Sequence, residues 1–276
     1  MRWLVNLWGN QQSSVSYEEI RAAVLSGEMS QEQLEEWQYE YTQLVNDKLA
    51  PQWRKAMNAA YAEKQSQFKF IYEPSVNLAN DYVQQRGAEF VTRIVSSQQE
   101  AIKNMVARAL YVDEMSPVSL SYLIRPVIGL TEPQAIANLN YYNRIKDELL
   151  KANPNMSEST AEKRARESVA KYAGRQHRDR ALNIARTELA TAYNRGAYNT
   201  IYESQEKGYI GDCRKTWHTS EDERVCPICN GVDGESVNMD TFFSIGVLIP
   251  PAHPRCRCAV GYEEIAEPTV PTEQSI

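Results

Sequence analysis

The sequence has no apolar run long enough to cross a bilayer as a helix; the longest near its end, residues 242–252, is short and contains Pro250 and Pro251. At the other end Asn6 and Gly9 interrupt the few apolar residues that follow Arg2, so no export signal is evident and the chain reads as soluble. Histidine is scarce: His177, His218 and His253 are the only three, and they are scattered. No HExxH pair occurs, and a deaminase-like HxE followed by PCxxC fails because Thr219-Ser220-Glu221 follows His218 and Val225 precedes Cys226. The usual signatures of a zinc hydrolase are therefore missing, and no catalytic residue is assigned. Cysteine is scarce too. The five present are an odd number, four of them crowded into residues 226–258, which suits a reducing compartment better than a disulfide framework. A surplus of positive charge is also lacking: 30 Lys and Arg face 36 Asp and Glu for a net charge of -6, so the chain as a whole is not drawn to nucleic acid.

What is present is ordinary globular composition, 42% hydrophobic and 24% charged, in a chain of 276 residues whose length favours two modest domains. Charge is spread unevenly, with a net -5 over residues 1–50 and a net +5 over residues 163–180. The expected fold is α+β and predominantly α-helical, with long N-terminal helices followed by a small C-terminal zinc-stabilised lobe of short strands. Over residues 16–66, Ser16 and Ser30 are N-cap candidates, Leu34, Trp37, Tyr41, Leu44 and Val45 recur with helical spacing, and Pro51 starts a further segment. From Ser75 to about Tyr111, Val83, Phe90, Ile94, Ala101 and Met105 trace one face of a long helix of a bundle core, with Gly87 and Gln98 interrupting the stripe. Ser116-Pro117 and Thr131-Glu132-Pro133 open further helices, and Gly174 is expected to divide the stretch from Ser157 to Lys207 into two. After Gly208, turn residues and short apolar pieces replace the helical period. The expected domains are a helical region at 1–112, a second domain at 113–262 with its lobe at 209–262, and an acidic flexible tail at 263–276.

The strongest chemical signal is Cys226-Pro227-Ile228-Cys229, followed after 23 residues by His253-Pro254-Arg255-Cys256-Arg257-Cys258. A CxxC turn aims two thiolates at one ion, and a distant second pair closes a tetrahedron without a large apolar core. Sulfur-rich ligation favours Zn2+ over harder ions. Five candidates, Cys226, Cys229, His253, Cys256 and Cys258, compete for the four places of a structural site. Cys226, Cys229, Cys256 and then His253 are favoured, which leaves one of His253, Cys256 and Cys258 outside the ligand set. The competing readings are a redox pair or small buried hydrophobes, and Cys213, without a matched partner, is read as a buried thiol. A zinc-dependent DNA-binding or DNA-processing protein with His218 as a base is the catalytic alternative.

Two further sets of charges stand out. Near residue 170, Arg164, Lys171, Arg175 and Arg178 form a basic stripe opposite Ala165, Val169 and Tyr172, able to neutralise a few backbone charges of double-stranded DNA without reading sequence, or simply to be solvated. Arg186 and Glu188, with Arg195 seven residues beyond Glu188, sit in an apolar helical run. They are read as structural polar residues that need partners from the following lobe, for example Asp222 or Arg224.

Taken in order, Ile128-Gly129-Leu130-Thr131-Glu132-Pro133-Gln134-Ala135, Ile184-Ala185-Arg186-Thr187-Glu188, Trp217, the run from Asp222 to Cys229 with Asp233-Gly234, and Pro250-Pro251-Ala252 leading into His253–Cys258 resemble the phage Mu F-like minor head protein family. Cys229 stands where many members carry histidine, and the first 110 residues lie outside the resemblance, which covers roughly residues 116–262. What the resemblance implies is a non-enzymatic head morphogenesis protein of a tailed phage. It would be associated with the portal protein, with scaffold or major capsid protein and non-specific double-stranded DNA as further candidate partners and no membrane. It would be carried in the virion, inside the capsid or at the portal vertex, after assembly in the bacterial cytoplasm.

Overall fold

The computed structural model of the protein describes residues 2–70, 76–220 and 222–265. Ser75 lies outside the described residues, as does the expected acidic tail at 263–276 from residue 266 onward, whereas Glu263 and Glu264 belong to a strand rather than to the tail. The described chain is predominantly helical with one small sheet, as the sequence predicts. It divides into two compact units, each built from two stretches: Met1–Asp47 with Gly87–Leu182, and Lys48–Arg86 with Asn183–Ile276. None of its described helices is long and apolar enough to cross a membrane.

The first unit contains α1 (Arg2–Ser14), α2 (Tyr17–Ser26), α3 (Gln31–Leu44), most of α5 (Val76–Tyr111), α6 (Pro117–Ile124), α7 (Glu132–Ala152) and the first half of α8 (Glu158–Glu206). The caps fall where the sequence puts them: the Ser16 and Ser30 hydroxyls accept from the Glu19 and Gln33 amides at 3.0 and 3.2 Å, and Ser116 accepts from Ser119. Thr131 and Gln134 form a capping box at the start of α7. Phe90, Ile94, Ala101 and Met105 of α5 are all buried, in line with the predicted stripe.

Gln98 does not interrupt that stripe. It is fully buried and accepts from the Tyr41 hydroxyl at 2.7 Å, while the Trp8 indole N–H donates to the same hydroxyl at 2.7 Å. A buried amide with such partners is satisfied, so a core position can hold it. Gly174 likewise does not break the chain, and α8 runs as one helix of 49 residues. A single internal glycine costs only about 1 kcal/mol against alanine. Its neighbours Ala173 and His177 are buried and recover that.

The bend before α7 has a physical cause. Gly129 adopts a left-handed φ of +86° against Trp8, whose Cγ would lie 2.4 Å from a Cβ built there. The carbonyls on either side of this bend are capped from α8: the His177 ring bonds Ile128 O at 2.8 Å, and Arg180 donates to Gly129 O at 2.8 Å. Burial lowers the His177 pKa below its ordinary value.

The second unit holds α4 (Ala50–Phe68), which has Pro51 in its first turn, the second half of α8, the short helix α9 (Pro227–Asn230), and strands β1 (Cys213–His218), β2 (Ser236–Asn238) and β3 (Ala259–Glu264). The strand order is β2-β1-β3, with β1 antiparallel to both neighbours and Cys213↔Glu264 through His218↔Ala259 as its register with β3. Cys213, Lys215 and Trp217 point to the buried side of β1. Trp217 meets Phe243 edge to face at 5.1 Å, within a core that also takes Ile201, Val260 and Tyr262. Cys213 is the buried thiol that the sequence suggests, its pKa pushed up to about 12 by burial.

Lys215 is unexpected at such a position. Its ammonium is wholly buried, donates to Met239 O at 2.5 Å, and lies 5.3 and 5.5 Å from the Tyr198 and Phe243 rings. Burial brings its pKa down to about 8 from 10.5, so the unfolded chain holds this proton more tightly between those values and stability rises with pH across that window. Lys215→Met should remove this part of the pH dependence, which urea unfolding of both proteins between pH 8 and 10.5 would measure. An unchanged slope would mean that burial does not lower the pKa of Lys215.

Gly196 allows α8 to approach α4, since an added Cβ would lie 2.6 Å from the Met57 Cα and 2.9 Å from its carbonyl oxygen. Alanine in a helix normally adds stability relative to glycine. Here Gly196→Ala should instead destabilise the second unit by about 1–3 kcal/mol through backbone overpacking, measured by chemical denaturation.

Candidate metal centre

The centre is built by two turns. Cys226 ends an extended segment and N-caps α9, its Sγ accepting from the Cys229 amide at 3.4 Å, while Pro227 occupies the first helical position, where no amide hydrogen is needed. This local geometry turns Cys226 and Cys229 toward one point. The second turn is closed by the Cys256 amide donating to His253 O at 3.1 Å, with Arg255 in a left-handed conformation at φ 67°. It follows the Pro250-Pro251 cis peptide and leads directly into β3.

All five predicted ligands come together, in two overlapping clusters. Cys226, Cys229 and His253 form one, and Cys229, Cys256 and Cys258 the other, with donor atoms within 4.8 Å of each other in each. The His253 Nε2 lies 3.0 Å from the Cys226 Sγ and 3.2 Å from the Cys229 Sγ, and the Cys229 and Cys256 sulfurs are 3.8 Å apart. The His253 Nδ1 is bonded to Pro254 O at 2.8 Å, which holds its proton on Nδ1 and leaves the Nε2 lone pair facing the thiols. Three sulfur donors plus one imidazole nitrogen is a donor set that fits Zn2+. Cys229 is the member common to both clusters and is almost completely buried.

The electrostatics of the thiols differ. The Cys229 backbone N–H, with help from the Cys229 side chain and His253, brings the Cys226 thiol down to about 7. Burial pushes Cys229 up and Cys258 up to about 11. A bound cation would have to drive off those protons.

Polar contacts fasten the centre to its surroundings. The Arg255 amide donates to the Thr187 hydroxyl at 3.4 Å and its Nε to the Asn183 side chain at 2.7 Å, which docks the second turn on α8. Arg257 grips Asp222 through two bonds of 2.5 and 2.7 Å, so the loop before Cys226 is clamped to the segment after Cys256. Asp222 also accepts from Arg224, and these arginines, Arg257 foremost, hold its carboxyl well below the usual carboxylate range.

The partners expected for Glu188 are therefore corrected. Asp222 pairs with both Arg224 and Arg257, and the buried Glu188 is held instead by a two-bond contact with Arg86, at 2.9 and 2.6 Å. Arg86 lies 102 residues earlier in the chain, too far for any local pattern to suggest it. Arg195 lies half-buried over the Tyr198 ring at 5.8 Å, and Arg186 is exposed. His218 belongs to neither donor cluster; its ring rests over Gly261, where a Cβ would come within 2.6 Å of Nε2. Arg164, Lys171, Arg175 and Arg178 are all exposed on α8, away from the buried Ala165 and Val169, but Tyr172 is not opposite them as expected, since Arg175 lies over its ring at 5.7 Å.

A small sheet docked on a long helix beside a cluster of four cysteines and a histidine defines a helical protein with a lobe whose donor set could hold a metal ion. Residues 134–261 match the model of the family described as Phage Mu protein F like protein, to which the chain is similar over that stretch. This bears out the resemblance carried by the ordered motifs and supports a role in phage head morphogenesis. Comparison with curated proteins and with solved structures returned no match.

If Cys229 is the hub, Cys229→Ser should abolish stoichiometric Zn2+ binding and unfold the lobe, whereas Cys258→Ser should leave a site of reduced affinity. Elemental analysis with thermal unfolding checks both. Zn2+ affinity should also weaken as the pH falls below about 7, where Cys226 takes back its proton. Metal content indifferent to the Cys229 change would remove the hub.

Proposed function

We propose that the protein is a minor head protein of a tailed phage, which joins the portal vertex during capsid assembly, remains in the virion, and uses Zn2+ as a structural ion rather than a catalytic one. The observation that carries this reading is the family match over residues 134–261, because it takes in both the Thr187-bearing stretch of α8 and the Arg255 turn that docks on it. The motifs of the resemblance are thus parts of one assembled feature rather than separate coincidences. Zn2+ would be held by Cys226, Cys229 and His253 with a thiolate from Cys256 or Cys258, and would supply the crosslink that holds the two turns together. Nothing in the placement of His218 favours a zinc-dependent nuclease, since that ring sits apart from both donor clusters. The portal protein is the expected partner, with scaffold or major capsid protein as further ones.

Co-expression with the cognate portal protein should yield a complex that survives gel filtration, and mass spectrometry should find the chain in purified virions. A chain that neither co-purifies with portal nor enters virions would overturn the assembly role. Cys229→Ser in the phage genome should lower the yield of filled heads, with the wild-type chain supplied from a plasmid restoring it.

A further inference from the structure

We propose that copies of the chain dock head to tail, the acidic outer face of α3 in one copy lying on the basic outer face of α8 in the next. The chain carries both charges in equal measure, net -5 over residues 1–50 and net +5 over residues 163–180. Within the first stretch, the 14 residues of α3 hold four glutamates and no Lys or Arg. Glu32, Glu35 and Glu36 are exposed, and the last two take only the neutral amides of Gln31 at 3.0 Å and Gln33 at 2.7 Å. Arg164, Lys171, Arg175 and Arg178 are exposed on α8 and extend over about 21 Å of its axis, the length of α3 at about 1.5 Å per residue. Among the described residues none of these acids or cations forms an ion pair.

Packing explains why one chain does not neutralise itself. The Tyr41 hydroxyl of α3 accepts from the Trp8 indole of α1 at 2.7 Å, while His177 and Arg180 of α8 rest against the same indole at 5.4 and 5.5 Å. At about 100° per residue, Glu32, Glu35, Glu36 and Tyr39 fall within about 60° of the direction opposite Tyr41. The four cations fall within about 60° of the direction opposite the buried Ala173 and His177. Both helices thus turn their buried sides to α1 and their charged sides away from it, so the two faces are open to another copy rather than to each other. Single exposed ion pairs contribute little, and a second feature adds to them here. Tyr39, 66% exposed, stands among the α3 acids. On the basic face Arg175 lies over the Tyr172 ring at 5.7 Å and Arg144 of α7 over the Tyr141 ring at 5.2 Å, with the two rings 4.9 Å apart. Guanidinium groups already ordered by rings lose less freedom when a further ring, Tyr39 of the next copy, packs on them. Because an acidic face meets a basic one and not itself, every contact leaves one face of each kind unused, and assembly grows as a ring or filament instead of stopping at a dimer. The contact needs neither portal nor Zn2+, so its test is separate from that of the head-protein role.

Sedimentation velocity of the purified full chain in low salt should show a weight-average mass that rises with concentration past that of a dimer. In about 1 M salt, where charges are screened beyond about 3 Å, it should fall toward the 31.5 kDa of one chain. Glu32→Lys, Glu35→Lys and Glu36→Lys together should weaken self-association at least about tenfold, and so should Lys171→Glu, Arg175→Glu and Arg178→Glu together, since each set brings like charges face to face. Circular dichroism and thermal unfolding would confirm that the variants are folded. Mixing the two variants should restore association, and a chain with all six changes, which keeps the net charge of -6, should associate with itself again. Tyr39→Ser should weaken the contact by a smaller factor. The proposal is overturned by a wild-type chain that stays monomeric in low salt, by a closed dimer that does not grow, by folded single-face variants that associate as well as wild type, or by a folded six-change chain that stays monomeric. Polylysine bound by a monomeric wild-type chain, and lost with the three glutamate changes, would likewise overturn it and give the α3 face to a different basic protein.

Discussion

Cys229 is the constraint around which the C-terminal lobe is organised. It is the one donor shared by both clusters, and it is buried where the α9 turn meets the segment that enters β3. The secondary structure around it is slight, with strands of 6, 3 and 6 residues and a 4-residue helix. A sheet of that size depends on packing against something else for its stability. The lobe finds it in two ways: the apolar side of β1 packs through Trp217 and Phe243, and the knuckle is pinned to Thr187 and Asn183 through Arg255. Cys229 lies between the turns at residues 226–229 and 253–258, and a metal ion bound at that point would supply a crosslink between them.

Elsewhere the distinctive interactions are polar groups placed inside otherwise apolar helix packing. Glu188 meets Arg86, Gln98 meets Tyr41, and His177 and Arg180 bond the carbonyls of Ile128 and Gly129. Each pairing joins elements far apart in sequence. Apolar contacts would tolerate a sliding of helices, whereas a buried polar group left without its partner costs about 1–3 kcal/mol. These contacts accordingly select one register of the packed helices. Lys215 is the exception in kind: its partners are one carbonyl and two aromatic rings, which ease the burial of a cation without fully replacing water.

The two surfaces of interest have different chemistry, and the proposed roles follow that difference. The knuckle lobe is closed, with its sulfur atoms mostly buried, which suits a folding element. The α7–α8 face is open, and its exposed arginines and lysine form no ion pair among the described residues.

Much of this was legible in the residues themselves. Helix starts at Ser16, Ser30, Ser116 and Thr131, the buried stripe of α5, the change of character after Gly208, the five donors and the Mu F-like motifs all follow from local chemistry: caps, periodicity and ligand spacing act over a few residues. Gly174 misled because local helix propensity cannot register the buried neighbours that carry α8 through it. Glu188 misled because a carboxylate announces its need for a cation without naming one, and Arg86 lies on another helix. The sequence alone thus determined where helices begin, which residues hold metal-ligating chemistry and which family the C-terminal half resembles. Only the tertiary structure decided that Cys229 is shared between the donor clusters, that Arg255 docks the knuckle on Thr187 and Asn183, and that Tyr141 and Tyr172 order the arginines beside them. Those are contacts between surfaces brought together by packing, and spacing along the chain does not encode them.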